Sequence, residues 1–146
     1  EPAAFDGPEE LPAFETLGEY EQELVWRLWV LDDAPFGLAL SGPAFQDNPI
    51  IYTNQQFRAL TGYSLSEVRG ENLRLLQGPE TADEPVADLR EAIDIWAGVT
   101  VELQNYRKDG TSFRNRVSLV PMDGPSGTIS NWIGIQEAVG SEYKSK

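Results

Sequence analysis

Residues 70–78 read GENLRLLQG: a polar opening at Glu71 and Asn72, then Leu73, Arg74, Leu75, Leu76 and Gln77, with a glycine at each end. A helix this short is not held by intrinsic propensity. Its Asn, Arg and Gln must be solvated or else bound by something outside the segment. The flanks decide what surrounds it. Upstream, FGLALSG (36–42) and IIYTN (50–54) read as short strands, and QQFRALTGY as a short helix stopped at Gly62, where a left-handed cap suits glycine. SLSEV (64–68) adds a turn with Ser64 and Glu67 in capping-box spacing. Thr81 and Glu84 repeat that spacing and open a longer helix near 82–97, with Val86, Leu89, Arg90 and Ile93 along one side.

Downstream the pattern changes to strands. VTVELQNYRK (99–108) meets TSFRNRVSLVPM (111–122) through Asp109-Gly110, a strong hairpin signal. DGPSG then leads into TISNWIGIQEAV (128–139). The elements predict an α+β domain over 36–138, a sheet of about five antiparallel strands with short helices beside it. Residues 1–17, rich in Pro, Gly and acid, read as a loose leader, and 139–146 as a tail. Between leader and domain, 18–33 form an amphipathic helix with Tyr20, Leu24, Leu28 and Leu31 at helical spacing, ending before Pro35. The chain begins without methionine, as a fragment or processed product would.

Composition removes several functions. The 146 residues carry a formal charge of -13, with 24 acidic against 11 basic side chains. A nucleic-acid surface needs clustered Lys and Arg, and an anionic membrane attracts the same residues, so neither partner is expected. Such acidity suits a salt-rich cytoplasm, where charges are screened, and points to a salt-adapted organism. There is no cysteine and no histidine, which excludes disulfides, the usual zinc ligands, and Ser-His or Cys-His nucleophiles. No apolar run has the length of a membrane span. A cytoplasmic, non-enzymatic domain is the expectation.

Strand parity exposes a conflict. Val99, Val101, Leu103 and Asn105 share a face, as do Phe113, Asn115, Val117 and Leu119. Each strand thus puts one Asn on its more apolar side. The two amides either bond each other or frame a planar ligand with alternating donors and acceptors. In the last strand Trp132, Gly134 and Gln136 form one parity class and Ile133 and Ile135 the other. If Gln136 joins the two Asn inside, the isoleucines lie outside with Leu38, Leu40 and Val120. That apolar patch is then covered by the 18–33 helix or by a second copy of the chain, a homodimer.

Taken together, DNPIIYTNQQFRALTGYS, GENLRLLQGPET, NYRKDG, FRNRVSLVPM and WIGIQ resemble the light-oxygen-voltage (LOV) flavin photosensors of the PAS superfamily, in order from about Phe36 to Glu137. The resemblance implies a PAS/LOV fold enclosing a flavin between helices and sheet. Asn105 and Asn115 would bond the pyrimidine edge of the ring, and Gln136 its O4/N5 region. Asn48 and Gln77 would bond the ribityl hydroxyls, with Asn72 on the same wall. Arg74 and Arg90 would hold a phosphate, which guanidinium forks fit. Ser41 stands where the family often has Thr. Ala39, Leu76, Val86, Ile93, Val117, Leu119 and Trp132 would supply walls. FMN is favoured over FAD, because GPETADEPV carries no insertion of the kind FAD-binding members have.

One position departs from the family. Its motif GxNCRFLQG places a cysteine that attacks flavin C4a in blue light; this chain has Leu73 there. The thioether cannot form. The remaining route is photoreduction to a neutral semiquinone, with Gln136 turning its amide and passing the change along the last strand; Trp132, Trp96 and Tyr106 are candidate electron donors. A light-independent flavin redox sensor and a cysteine-replaced flavin fluorescent protein are the alternatives. An effector would lie outside these residues.

Overall fold

The computed structural model describes residues 5–124 and 129–139. Chain order gives α1 (Glu19–Leu28), β1 (Gly37–Ser41), β2 (Ile50–Thr53), α2 (Gln55–Thr61), α3 (Leu65–Val68), α4 (Asp83–Asp94), β3 (Val99–Tyr106), β4 (Ser112–Asp123) and β5 (Ile129–Ala138). GENLRLLQG forms a single 3-10 turn at Leu73–Leu76. The strands make one five-stranded antiparallel sheet in the order β2-β1-β5-β4-β3. This is the α+β architecture that the alternation and the Asp-Gly turn predict.

Local chemistry explains the short helices. Gly62 closes α2 at φ 79°, and Ser64 and Glu67 form a reciprocal capping box on α3. The second capping box does not form. Ala82 caps α4 without a side-chain bond. Thr81 instead donates to the Gln104 carbonyl at 2.6 Å and accepts from the Gly78 amide, pinning the segment before α4 to β3. A strand carbonyl outcompeted the helix end for that hydroxyl.

Over β1, β2 and Ile133 of β5 the outer face of the sheet is covered from within the chain, while Val120 of β4 stays 42% exposed. Leu24 and Val25 of α1 are buried in one cluster with Leu38, Leu40, Ile50 and Tyr52, and Ile133 packs against it. Full burial of such side chains stabilises by roughly 1.5–3 kcal/mol each. Part of the segment expected to be a loose leader joins this cluster. Two 3-10 turns, Pro8–Glu10 and Phe14–Thr16, seat Leu11 and Phe14 in it. Of the expected tail at 139–146, Val139 still donates its amide to the Arg114 carbonyl at 2.9 Å, and 140–146 lie outside the described residues.

A charged group is buried beside that cluster without any forewarning in the sequence. Arg58 lies inside with its guanidinium 5.5 Å from the centre of the Phe5 ring, and it donates to the Thr53 carbonyl. Asp32, also buried, accepts from the Tyr52 hydroxyl at 2.6 Å and from Gln55 at 2.9 Å. Burial, then the neighbouring Asp32 carboxylate, pushes the Tyr52 hydroxyl well above its ordinary range.

Asn54 joins these parts. Its carbonyl oxygen accepts from the Leu38 and Phe57 amides, and its amide nitrogen donates to the Leu31 and Phe36 carbonyls. One side chain therefore caps α2 and ties the end of the N-terminal helical segment to β1. Asn54→Ala leaves those main-chain groups without partners, so it should lower stability by about 2–4 kcal/mol. Urea unfolding checks this, and a loss below about 0.5 kcal/mol, the range of ordinary surface substitutions, would refute it.

Candidate functional site

The inner face of the sheet is concave and is built by alternation. Register pairs Ser41 with Trp132, Ala39 with Gly134 and Gly37 with Gln136; on the other side Gln136 pairs with Val117 and Gly134 with Leu119. Leu103, Val117, Leu119 and Trp132 form the apolar floor, with Val86, Leu89 and Ile93 of α4 packed against it. Between this floor, α4 and the Leu73–Leu76 turn lies a cavity of about 400 Å³.

Apart from Ala39, each site residue predicted from the sequence lines that cavity. Asn105, Asn115 and Gln136 come from the strands, with Ser41 and Trp132 beside them. Asn48 lies in the loop before β2; Asn72, Leu73, Arg74, Leu76 and Gln77 come from the turn; Val86, Arg90 and Ile93 come from α4. Ala39 faces the same way but is buried with Phe57 and Leu76 and does not reach the cavity. Leu89, Leu103, Asp94 and Asp47 line it as well. Leu103 was legible from its parity with Asn105, and Leu89 from the α4 stripe; nothing in the sequence marks Asp47.

The polar atoms of the cavity are unevenly satisfied. Asn115 donates to Asn105 at 2.8 Å, so the two amides do bond each other. That leaves the Asn115 carbonyl oxygen buried without a partner among the described residues, together with the Gln136 and Asn48 side-chain oxygens and Trp132 Nε1. A buried polar atom left unpaired costs on the order of 1–3 kcal/mol. A cluster of orphans on one cavity wall is a donor-acceptor surface built for a polar, planar guest. On the sheet itself the Asn115 and Gln136 oxygens and the Trp132 N–H, set beside an apolar floor, fit the polar edge of an isoalloxazine ring.

Glycine makes room for it. A Cβ on Gly134 would stand 3.1 Å from both Gln136 Nε2 and Leu73 Cδ1, and 3.4 Å from Leu119. Leu73 thus faces β5 beside the Gln136 amide, and it lines the cavity.

The mouth is electrostatically mixed. Arg74 forks onto Asp47, Nη1 to Oδ1 at 3.1 Å and Nη2 to Oδ2, and Asn72 donates to the Asp47 carbonyl at 2.7 Å while capping the turn through the Arg74 amide. The Arg74 guanidinium holds the Asp47 carboxyl below the usual carboxylate range. Arg90 has no ion-pair partner among the described residues. The chain carries no thiol and no imidazole, and among the described residues there is no cluster of metal-ligating groups.

A curved sheet closing short helices around a polar-walled, apolar-floored chamber defines a ligand-sensing domain. Residues 36–138 match the PAS domain family model, and the chain belongs to that family, as a LOV domain within it. It is 39% identical to a solved light-oxygen-voltage domain whose mechanism was probed with a flavin analogue, with a TM-score of 0.74 over 88% of this chain and 93% of that one. It is 40% identical over 126 residues to the bacterioopsin transcriptional activator of Halobacterium salinarum, covering 86% of this chain and 18% of the relative. It is 39% identical to the blue-light photoreceptor of Listeria monocytogenes over 80% of this chain and 46% of the relative. The chain therefore spans less than half the length of these curated relatives.

Removing an orphan should stabilise the protein without its guest. Gln136→Leu deletes a buried unpaired oxygen, and flavin-free protein carrying it should gain about 1 kcal/mol in urea unfolding. A loss of stability instead would mean that Gln136 is satisfied within the chain.

Proposed function

We propose that this chain is the FMN-binding blue-light sensory module of a longer signalling protein, one that works without the thioether. The single observation that carries the reading is the pair of orphaned amide oxygens of Asn115 and Gln136 on the cavity wall, at positions where the resemblance puts the contacts to a flavin ring. The LOV relatives support flavin and blue light as ligand and input. When bound, the flavin would supply a light-driven one-electron oxidant.

The chain's residues do the rest. Asn105 and Asn115 hold the polar edge of the ring, and Asn48, Asn72 and Gln77 its hydroxylated tail. Arg90 and Arg74 take the phosphate, Arg74 while still engaged by Asp47. Leu73 fills the thiol position with an apolar branch and excludes water beside Gln136. Gln136 is the switch: an amide that offers its NH2 to an acceptor turns to offer oxygen when that acceptor becomes a donor. From Gln136 the change travels along β5 to Ile133, which packs on the other face against the cluster containing Leu24 and Val25. α1 is then the output element. A homodimer would use what α1 leaves bare, including Trp26 and Val30, which are exposed.

The effector lies beyond these residues, as the greater length of the relatives suggests. Relationship to a Halobacterium protein and the charge of -13 together support a salt-adapted source. Among the described residues no helix is long and apolar enough to cross a membrane, in keeping with a cytoplasmic sensor.

Protein purified with ample flavin available should be yellow, and blue light under a reductant should convert its spectrum to that of a one-electron-reduced flavin. Colourless protein would sink the reading; a yellow protein indifferent to light would leave a redox sensor or a fluorescent protein. Leu73→Cys tests placement separately. It should bleach reversibly in blue light and recover in the dark, whereas a variant with unchanged absorbance would show that residue 73 does not face the ring.

A further inference from the structure

We propose that Trp132 and Trp96 form an electron relay from the cavity wall to the protein surface, replenished there by a small thiolate. The proposal rests on the flavin reading above and names the donor that reading leaves open.

Trp132 is 2% exposed and lines the cavity. Its ring stacks on that of Trp96, with centroids 5.9 Å apart and planes 17° from parallel. Trp96 is 40% exposed. Two of the most easily oxidised side chains in proteins thus stand in contact, one at the chamber and one at solvent. Other candidates lack this placement. The Tyr106 hydroxyl is taken by the Glu80 amide, its ring is not on the cavity wall, and the Trp29–Tyr52 pair belongs to the cluster under α1.

The backbone at Trp96 is held in an unusual state. Ile95 caps α4, and the next two amides bond back, Trp96 to Ile93 at 3.2 Å and Ala97 to Ala92 at 2.9 Å. This is a Schellman closure, and its left-handed residue is normally glycine. Here it is Trp96, with φ 58°. An indole at that position is disfavoured by its Cβ, so contact with Trp132 is what holds it in place.

The two indoles differ in a way that gives the relay direction. Trp132 Nε1 is buried with no acceptor among the described residues. After losing an electron, that indole has no protein group to take its proton, and a cation there is poorly solvated. Trp96 can release its proton to water and sits on a strongly acidic protein. One electron passes from Trp132 to the photo-excited flavin, and one from Trp96 refills Trp132. Trp96 gives its N–H proton to water. It is restored by one electron from the thiolate, which becomes a thiyl radical, and by one proton from water.

The test compares the flavin-loaded chain with Trp96→Phe and Trp96→Tyr under blue light and excess thiol. Trp96→Phe keeps a stacking ring but cannot be oxidised by the relay; photoreduction should slow by roughly an order of magnitude or more. Trp96→Tyr, with an oxidisable phenol, should recover part of that rate. Freeze-trapped illuminated samples should show a neutral tryptophan radical by EPR in the parent and none in Trp96→Phe. Without flavin, the stacked indoles should give an exciton-coupled circular dichroism band that Trp96→Phe removes. Photoreduction of Trp96→Phe at the parent rate, equal slowing in both variants, or an unaltered dichroism spectrum would each overturn the relay alone. A parent chain that fails to hold flavin, or holds it and is not photoreduced, would overturn both the functional reading and the relay.

Discussion

Two kinds of buried amide organise this protein, and the saturated one comes first. Asn54 uses all of its bonding capacity on four main-chain groups drawn from the N-terminal segment, β1 and α2. Each partner would otherwise be an unpaired polar group in the interior, so no part can shift without exposing the others. That fixed corner sets β1 against β2 and gives α1 its attachment. Over β1, β2 and Ile133 the sheet's outer face is then closed by α1 and the two short N-terminal turns, leaving the inner face as the place where structure is left incomplete.

The cavity inverts the logic of Asn54. Asn115, Gln136 and Asn48 keep oxygens unpaired in a place where an apolar substitute would be more stable, which is how binding capacity is stored at the expense of intrinsic stability. The Asn105–Asn115 bond orients both amides and leaves one acceptor over the floor. Leu73 and Gln136 border the same small volume, each 3.1 Å from where a Cβ on Gly134 would stand, so the glycine gives room to both side chains.

Much of this was legible because strands alternate. Once Asp109-Gly110 fixes the hairpin, parity turns Asn105 and Asn115 to one side; it leaves the last strand open, and the sheet pairing puts Trp132 and Gln136 on that same side. What escaped depends on distant competition. Thr81 has the spacing of a cap, but the Gln104 carbonyl takes its hydroxyl. Leu11 and Phe14 lie among prolines and acids with no period to betray them, yet both are buried. Arg58 and Asp32 are charged residues, which single-sequence reasoning rightly places outside. Asp47 meets Arg74 from 27 positions away, a pairing no local pattern records.

The fork between Arg74 and Asp47 has a consequence for the conditions under which the site fills. Both side chains are mostly in solvent, and the surrounding surface is strongly negative. In dilute buffer that field reaches well beyond the mouth and opposes any incoming anion. At an ionic strength of about 1 M the Debye length shrinks to about 3 Å. Repulsion from afar is then erased, while guanidinium groups acting at contact keep their geometry. Approach of any anion to this mouth becomes easier in brine than in fresh water, the reverse of the usual salt effect on association between opposite charges.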